Sequence, residues 1–248
     1  MQRAELDTYL DQYLDVAKFR DYCPNGLQVE GTPHVECIAS GVTASADLIS
    51  AAIAAGAHAI LVHHGYFWRG EDARIVGTRR QRIAAIINSN LNLYAFHLPL
   101  DAHPEIGNNA TLAQQLGLHT EGRSGEQDLV FHGRTDANLT LGALAQRIEE
   151  RLERKPLVIG DSNRPLRRIA WCTGAAQGYL EEAVRLGVDA YISGEASEQT
   201  VHLSRESGVA FIAAGHHATE RYGVQALGAH VARRFGIQHT YIDIPNPV

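Results

Sequence analysis

A chain of 248 residues with 45% hydrophobic and 20% charged side chains has the composition of a globular protein with a full core, in one large domain or two small ones. Its formal net charge of −6 argues against electrostatic capture of nucleic acid, and the basic patch Arg79-Arg80-Gln81-Arg82 reads as the solvated face of a helix. Cys23, Cys37 and Cys172 show neither CxxC spacing nor a disulfide framework, which fits a cytoplasmic protein.

The N-terminus carries acids throughout and is not expected to be a secretion signal. Leu6, Leu10 and Leu14 predict an amphipathic helix over 5–18. Residues 22–31 read as a loop or short strand. Strands near 35–42, 58–63 and 92–97 then alternate with helices near 45–56, 79–90 and 108–117. The most apolar window, Ala51 to Val62, is too short to span a bilayer. Residues 121–165 read as a connector: turn residues Gly122, Ser124 and Gly125, then a strand (129–134), a helix (139–153) and a strand (157–159). The βαβ succession argues for α/β architecture with mostly parallel sheets flanked by helices.

The second half repeats the first. A shift of 131 places Ile38-Ala39 on Ile169-Ala170 and Gly56 on Gly187, and both glycines are placed to close a helix. A shift of 119 places His97 on His216 and Asp101 on Glu220. Two similar βαβ-type lobes follow. The expected division is 1–120 for an N-terminal segment plus the first lobe, 121–165 for the connector and 166–248 for the second lobe, packed as one structural unit. Chance likeness between generic βαβ units is the competing reading.

His63-His64 ends the apolar run Ile60-Leu61-Val62, where ligands bind in open α/β sheets. Neighbours on a strand point to opposite faces, so both rings can serve one site only if the strand has broken, which Gly65 permits. One structural and one exposed histidine is the alternative. His97 ends another apolar strand, and Pro99 argues for a loop between it and Asp101, which is either a ligand or a helix cap. His216 and Glu220, four apart near a helix start, share a face and form either a ligand pair or a hydrogen-bonded pair. His217 competes with His216 for that role. Under the 131 shift His64 corresponds to Glu195. Three imidazoles with two carboxylates suit iron, manganese, zinc or cobalt better than magnesium or calcium.

Together, Asn25-Gly26-Leu27-Gln28-Val29, His63-His64, the His97 to Asp101 segment, Ser193-Gly194-Glu195 and Gly215-His216-His217-Ala218-Thr219-Glu220 make the whole chain resemble the Nif-three-like dinuclear metal-centre hexameric family. That family is also labelled GTP cyclohydrolase type-two-like, and the likeness is greatest to its short bacterial YbgI-type members. The resemblance implies two divalent metal ions per chain, with His64 and Asp101 on one, His63 and His216 on the other, and Glu220 bridging. It leaves His97 and Glu195 beside the ligands or against substrate, as acid-base groups. It also implies a toroidal homohexamer with sites facing an internal cavity. Where many members have Pro after the paired histidines, this chain has Gly65 and then Tyr66-Phe67-Trp68.

The expected activity is metal-dependent hydrolysis of a small nucleotide-like or heterocyclic substrate. Phe67 and Trp68 are candidates to stack on a ring, and Arg69 or Arg221 to meet a phosphate. A non-enzymatic metal-binding scaffold or metal-delivery ring is the second reading. No membrane partner is expected.

Overall fold

The computed structural model describes residues 1–248. In chain order the strands are β1 (Gly26–Val29), β2 (Cys37–Thr43), β3 (Ala59–His64), β4 (Asn92–Ala95), β5 (His119–Ser124), β6 (Val130–Arg134), β7 (Leu157–Ile159), β8 (Arg168–Trp171), β9 (Ala190–Ser193), β10 (Ala210–Ala213) and β11 (Gln238–Tyr241). The helices are α1 (Arg3–Tyr13), α2 (Ala46–Ala54), α3 (Gly77–Asn88), α4 (Leu98–Ala102), α5 (Asn108–Leu116), α6 (Leu141–Leu152), α7 (Leu180–Leu186), α8 (Glu198–Ser207) and α9 (His216–Phe235).

The chain divides into two compact units, 1–100 with 223–245 and 101–222 with 246–248. The division falls at Leu100/Asp101 rather than near 120, and α9 passes across it. The first unit holds a five-stranded sheet, β1-β4-β3-β2-β11, parallel except where β1 meets β4. The second holds a six-stranded sheet, β5-β6-β8-β9-β10-β7, in which β8, β9 and β10 run parallel. Segment 121–165 is therefore part of the second sheet rather than a separate connector: its strands β6 and β7 pair with β8 and β10. Each unit has its own apolar core, around Ile60, Val62 and Leu93 in the first and around Trp171, Ile192 and Ile212 in the second.

The repeat is visible in strand register. Ile38 pairs with Ala59 and Ile169 with Ala190, each two residues related by 131. Along β4 and β10 the register gives 118: Asn92 pairs with Ala59 as Ala210 does with Ala190. The helices after these strands begin at Leu98 and His216, also 118 apart. His97 and His216 are thus one position out of structural equivalence, because the 119 match skips a residue at the strand-to-helix turn.

Three local differences have physical reasons. Helix α1 stops at Tyr13, since Asp15 takes a left-handed conformation and a 3₁₀ turn, Val16–Lys18, follows. Residues 98–102 form a short helix although Pro99 lies within it: in the first turn a missing N–H costs nothing. Gly122 and Ser124 sit in strand β5, whose mostly polar sequence His-Thr-Glu-Gly-Arg-Ser carries no apolar alternation. No helix is long and apolar enough to cross a membrane.

Candidate metal-binding clusters

In the first unit three imidazoles collect at the carboxyl ends of parallel strands. His63 and His64 are the last residues of β3, and the strand does not break before them. His63 is fully buried, and its Nδ1 lies 2.9 Å from the Phe96 carbonyl. A carbonyl only accepts, so Nδ1 carries the hydrogen and Nε2 presents the lone pair. Thr43 Oγ1 sits 3.1 Å from His64 Nδ1. The ring centroid of His63 is 4.6 Å from that of His64 and 5.0 Å from that of His97. His63, His64 and His97 form a group able to hold a metal ion. Gly65 leaves no room for a side chain, since a Cβ there would lie 2.6 Å from Ala95 Cβ and overlap the Gln28 carboxamide, which accepts from Tyr66 N at 2.7 Å.

Sequence reasoning missed the partner of His97. Asp21 Oδ1 lies 2.7 Å from His97 Nδ1, and the Asp21 side chain is 3% exposed. Burial alone would raise the Asp21 pKa; hydrogen bonding and charge from His97, with hydrogen bonds from Asn25 and the Leu98 amide, lower it to about 2. Asn25 of the Asn-Gly-Leu-Gln segment in turn accepts from His97 N at 2.7 Å. No spacing rule links positions 21 and 97; Asn25, four residues beyond Asp21, was the available signal. Trp68 stands edge-on to His97 at 4.9 Å. The other proposed substrate contacts have local partners: Phe67 packs on the core with Arg79 over its ring, Arg69 donates to Asp21 O, and Arg221 donates to Leu152 O.

In the second unit glycines stitch three strand ends together. Gly194 N donates to Gly174 O and Gly215 N to Gly194 O, both at 2.9 Å. A Cβ on Gly194 would lie 2.7 Å from His216 Cα. This packing brings Glu195, after β9, to His216, the first residue of α9: Oε1 to Nδ1 is 2.6 Å. One helical turn on, Glu220 Oε2 lies 3.2 Å from His216 Nε2. Burial would lower the His216 pKa, but hydrogen bonds and charge from Glu220 and then Glu195 raise it to about 9. His216 therefore has the Glu220 neighbour that the spacing suggested and Glu195 as a second, while His217 lies at the C-terminus, its N donating to Val248 O.

Asp101 is buried in the same unit and is not the cap of α5, whose N-cap is Gly107. Its Oδ1 accepts from Asn108 Nδ2 at 2.9 Å and from Thr173 Oγ1 at 3.1 Å, two orienting contacts that the sequence did not announce. Cys172, fully buried nearby, has its thiol pKa pushed up by burial and by Asp101, so it is an inert neighbour.

Nitrogen and oxygen donors of this kind suit divalent transition metals. The local shape also fits: a Cβ on Gly174 would overlap Glu220 Oε1 and come 3.3 Å from His216 Nε2. Fold and donors together define an α/β protein of two sheets with histidine-carboxylate clusters able to hold metal ions. The chain belongs to the Duf34/NIF3 (NGG1p interacting factor 3) family, whose model matches residues 1–247. It is 54% identical over 240 residues to the GTP cyclohydrolase 1 type 2 homolog of Pseudomonas aeruginosa, covering 96% of this chain and 95% of that one. Among solved structures it is similar to protein ybgI, described as of unknown function, at 48% identity and TM-score 0.97 with both chains fully covered. A protein from Thermus thermophilus matches at 34% identity and TM-score 0.90, again over both full chains.

Proposed function

We propose that this chain binds two divalent transition-metal ions and hydrolyses a small nucleotide-like or heterocyclic substrate. The observation that carries the reading is the donor chemistry: three imidazoles gathered at the strand ends of one sheet, and half-buried His216 beside buried Glu220, with buried Asp101, in the other unit. In this reading His64 and Asp101 hold one ion, His63 and His216 the other, and Glu220 serves both. Bound cations of this type lower the pKa of water and polarise carbonyl, imine or phosphoryl oxygens.

The chain's own groups have distinct tasks. The Phe96 carbonyl sets the His63 tautomer so that Nε2 is the donor atom. Asn108 and Thr173 fix the Asp101 carboxylate, and Glu195 orients His216 through Nδ1. In this reading His97 and Glu195 move protons. The relatives' name, GTP cyclohydrolase 1 type 2 homolog, makes a guanine-type ring one substrate class to try. The family resemblance supports a ring-shaped homohexamer, and three free cysteines are compatible with a cytoplasmic setting.

The test is metal analysis of the native protein followed by a panel of nucleotides, pterins and esters with the loaded protein. Two ions per chain and turnover support the proposal. Two ions with no turnover across the panel favour a metal-binding scaffold, and no ions overturn both. Glu195→Gln and His97→Asn should keep the metal and lose turnover; loss of metal would make these residues ligands.

A further inference from the structure

We propose that Asp21 is the positioning residue of His97, holding its ring with the hydrogen on Nδ1 so that Nε2 is the ring atom left to act on substrate. This rests on the hydrolytic reading above for its chemistry, but its structural core stands apart from it.

The argument is a count of donors. Asp21 Oδ1 receives Tyr22 N–H at 2.6 Å as well as the His97 Nδ1 contact at 2.7 Å. Asp21 Oδ2 receives Leu98 N–H at 2.9 Å and the Asn25 amide at 2.9 Å. The Asn25 amide is fixed in orientation, because its oxygen accepts from His97 N–H. Three of the four groups facing the carboxylate can only donate. An ionised carboxylate can only accept. The fourth group, His97 Nδ1, must therefore donate too, which in a singly protonated ring puts the lone pair on Nε2. The nearly closed setting of Asp21 strengthens each of these bonds.

In hydrolysis the consequence is directional. Nε2 is then the ring edge turned to water and leaving group, while Nδ1 stays tied to the carboxylate. Asp21 touches no reacting atom; it acts through His97. The same carboxylate ties residues 21–25 to the β4–α4 turn, so a purely structural role is the rival reading.

Neutron diffraction on the deuterium-exchanged, zinc-loaded full-length protein near neutral pD separates the two. The expected map has deuterium on His97 Nδ1, facing a bare Asp21 carboxylate. Deuterium on Nε2 with a bare Nδ1, or on Asp21 itself, overturns the proposal. In Asp21→Asn the amide must present either its NH₂ or its oxygen to His97. With the NH₂ toward the ring, the expected result is displacement of deuterium to Nε2, with zinc content unchanged and any turnover reduced about 10- to 100-fold, the usual range for an outer partner. Deuterium kept on Nδ1 with the NH₂ of Asp21→Asn turned to it also overturns the proposal. Should no substrate turn over at all, the hydrolytic reading fails while the wild-type map still decides the role of Asp21.

Discussion

Gly174 has a positive φ of 70° and no room for a side chain against the Glu220 carboxylate. Both facts make Gly174→Ala costly: left-handed backbone plus overlap amounts to roughly 1–3 kcal/mol, relieved only if Glu220 moves. If Glu220 serves both ions, Gly174→Ala should lower metal content measured by elemental analysis while leaving the second sheet folded by circular dichroism. Full metal content in that variant would remove Glu220 from the ligand set. Asp21 makes a different prediction. Its pKa is depressed to about 2 in the folded protein from an ordinary value of 3.8. A depressed carboxylate stabilises the fold above its unfolded pKa, and that stability disappears as pH falls through the folded value. The linked contribution is on the order of 2 kcal/mol at neutral pH. Urea unfolding should therefore show Asp21→Asn weaker than wild type at neutral pH, with the gap closing as pH falls from about 4 toward about 2. A gap that persists unchanged at low pH would mean that the charge of Asp21 contributes nothing.

Among the elements, those with strong apolar patterning were legible in the sequence. Strand β3 was readable from Ile60-Leu61-Val62, and with it the placement of His63 and His64 at a strand end. Strands β5 and β11 were not, because both are mostly polar edge strands with no alternation to read. His63 and His64 were legible at a strand end and His216 and Glu220 as a pair four apart at a helix start, whereas Asp21, Asn108 and Thr173 were not, because their roles depend on contacts between distant segments. The helix after His97 was misread for a local reason: Pro99 forbids a helix interior but not a first turn. Helix α2 offers a clean test at this scale. Ser45 caps it, its side chain accepting from Leu48 N, and Leu48, Ile49 and Ala52 bury one face in the first core. Ser45→Ala should cost about 1 kcal/mol in urea unfolding. It should leave metal content intact, because Ser45 touches none of the proposed ligands. A loss of metal with so small a change in stability would show that the β2–α2 turn, next to Thr43 and its contact with His64, takes part in binding.

For the whole molecule, chain threading matters more than sequence order. Residues 223–245 return to the first unit, and β11 pairs with β2, so the fold of that unit requires both ends of the chain. The proposed ligands are similarly distributed, with His63 and His64 in the first unit and Asp101, His216 and Glu220 in the second. A ligand that binds only the folded state stabilises it by RT ln(1 + [L]/Kd), about 2.7 kcal/mol at a hundredfold excess over Kd. Chelation should therefore lower Tm, and added zinc or manganese should restore it in proportion to the logarithm of its concentration. Loading must also expel a proton from His216, whose pKa near 9 keeps it cationic at neutral pH when no metal is bound. Hydrogen exchange adds the decisive measurement. If two ions are shared by all five ligands, chelation should raise exchange together at the end of β3 and in the first turns of α9. Exchange that rises in one unit alone would confine the metal to that unit's donors, and the shared dinuclear centre would have to be abandoned.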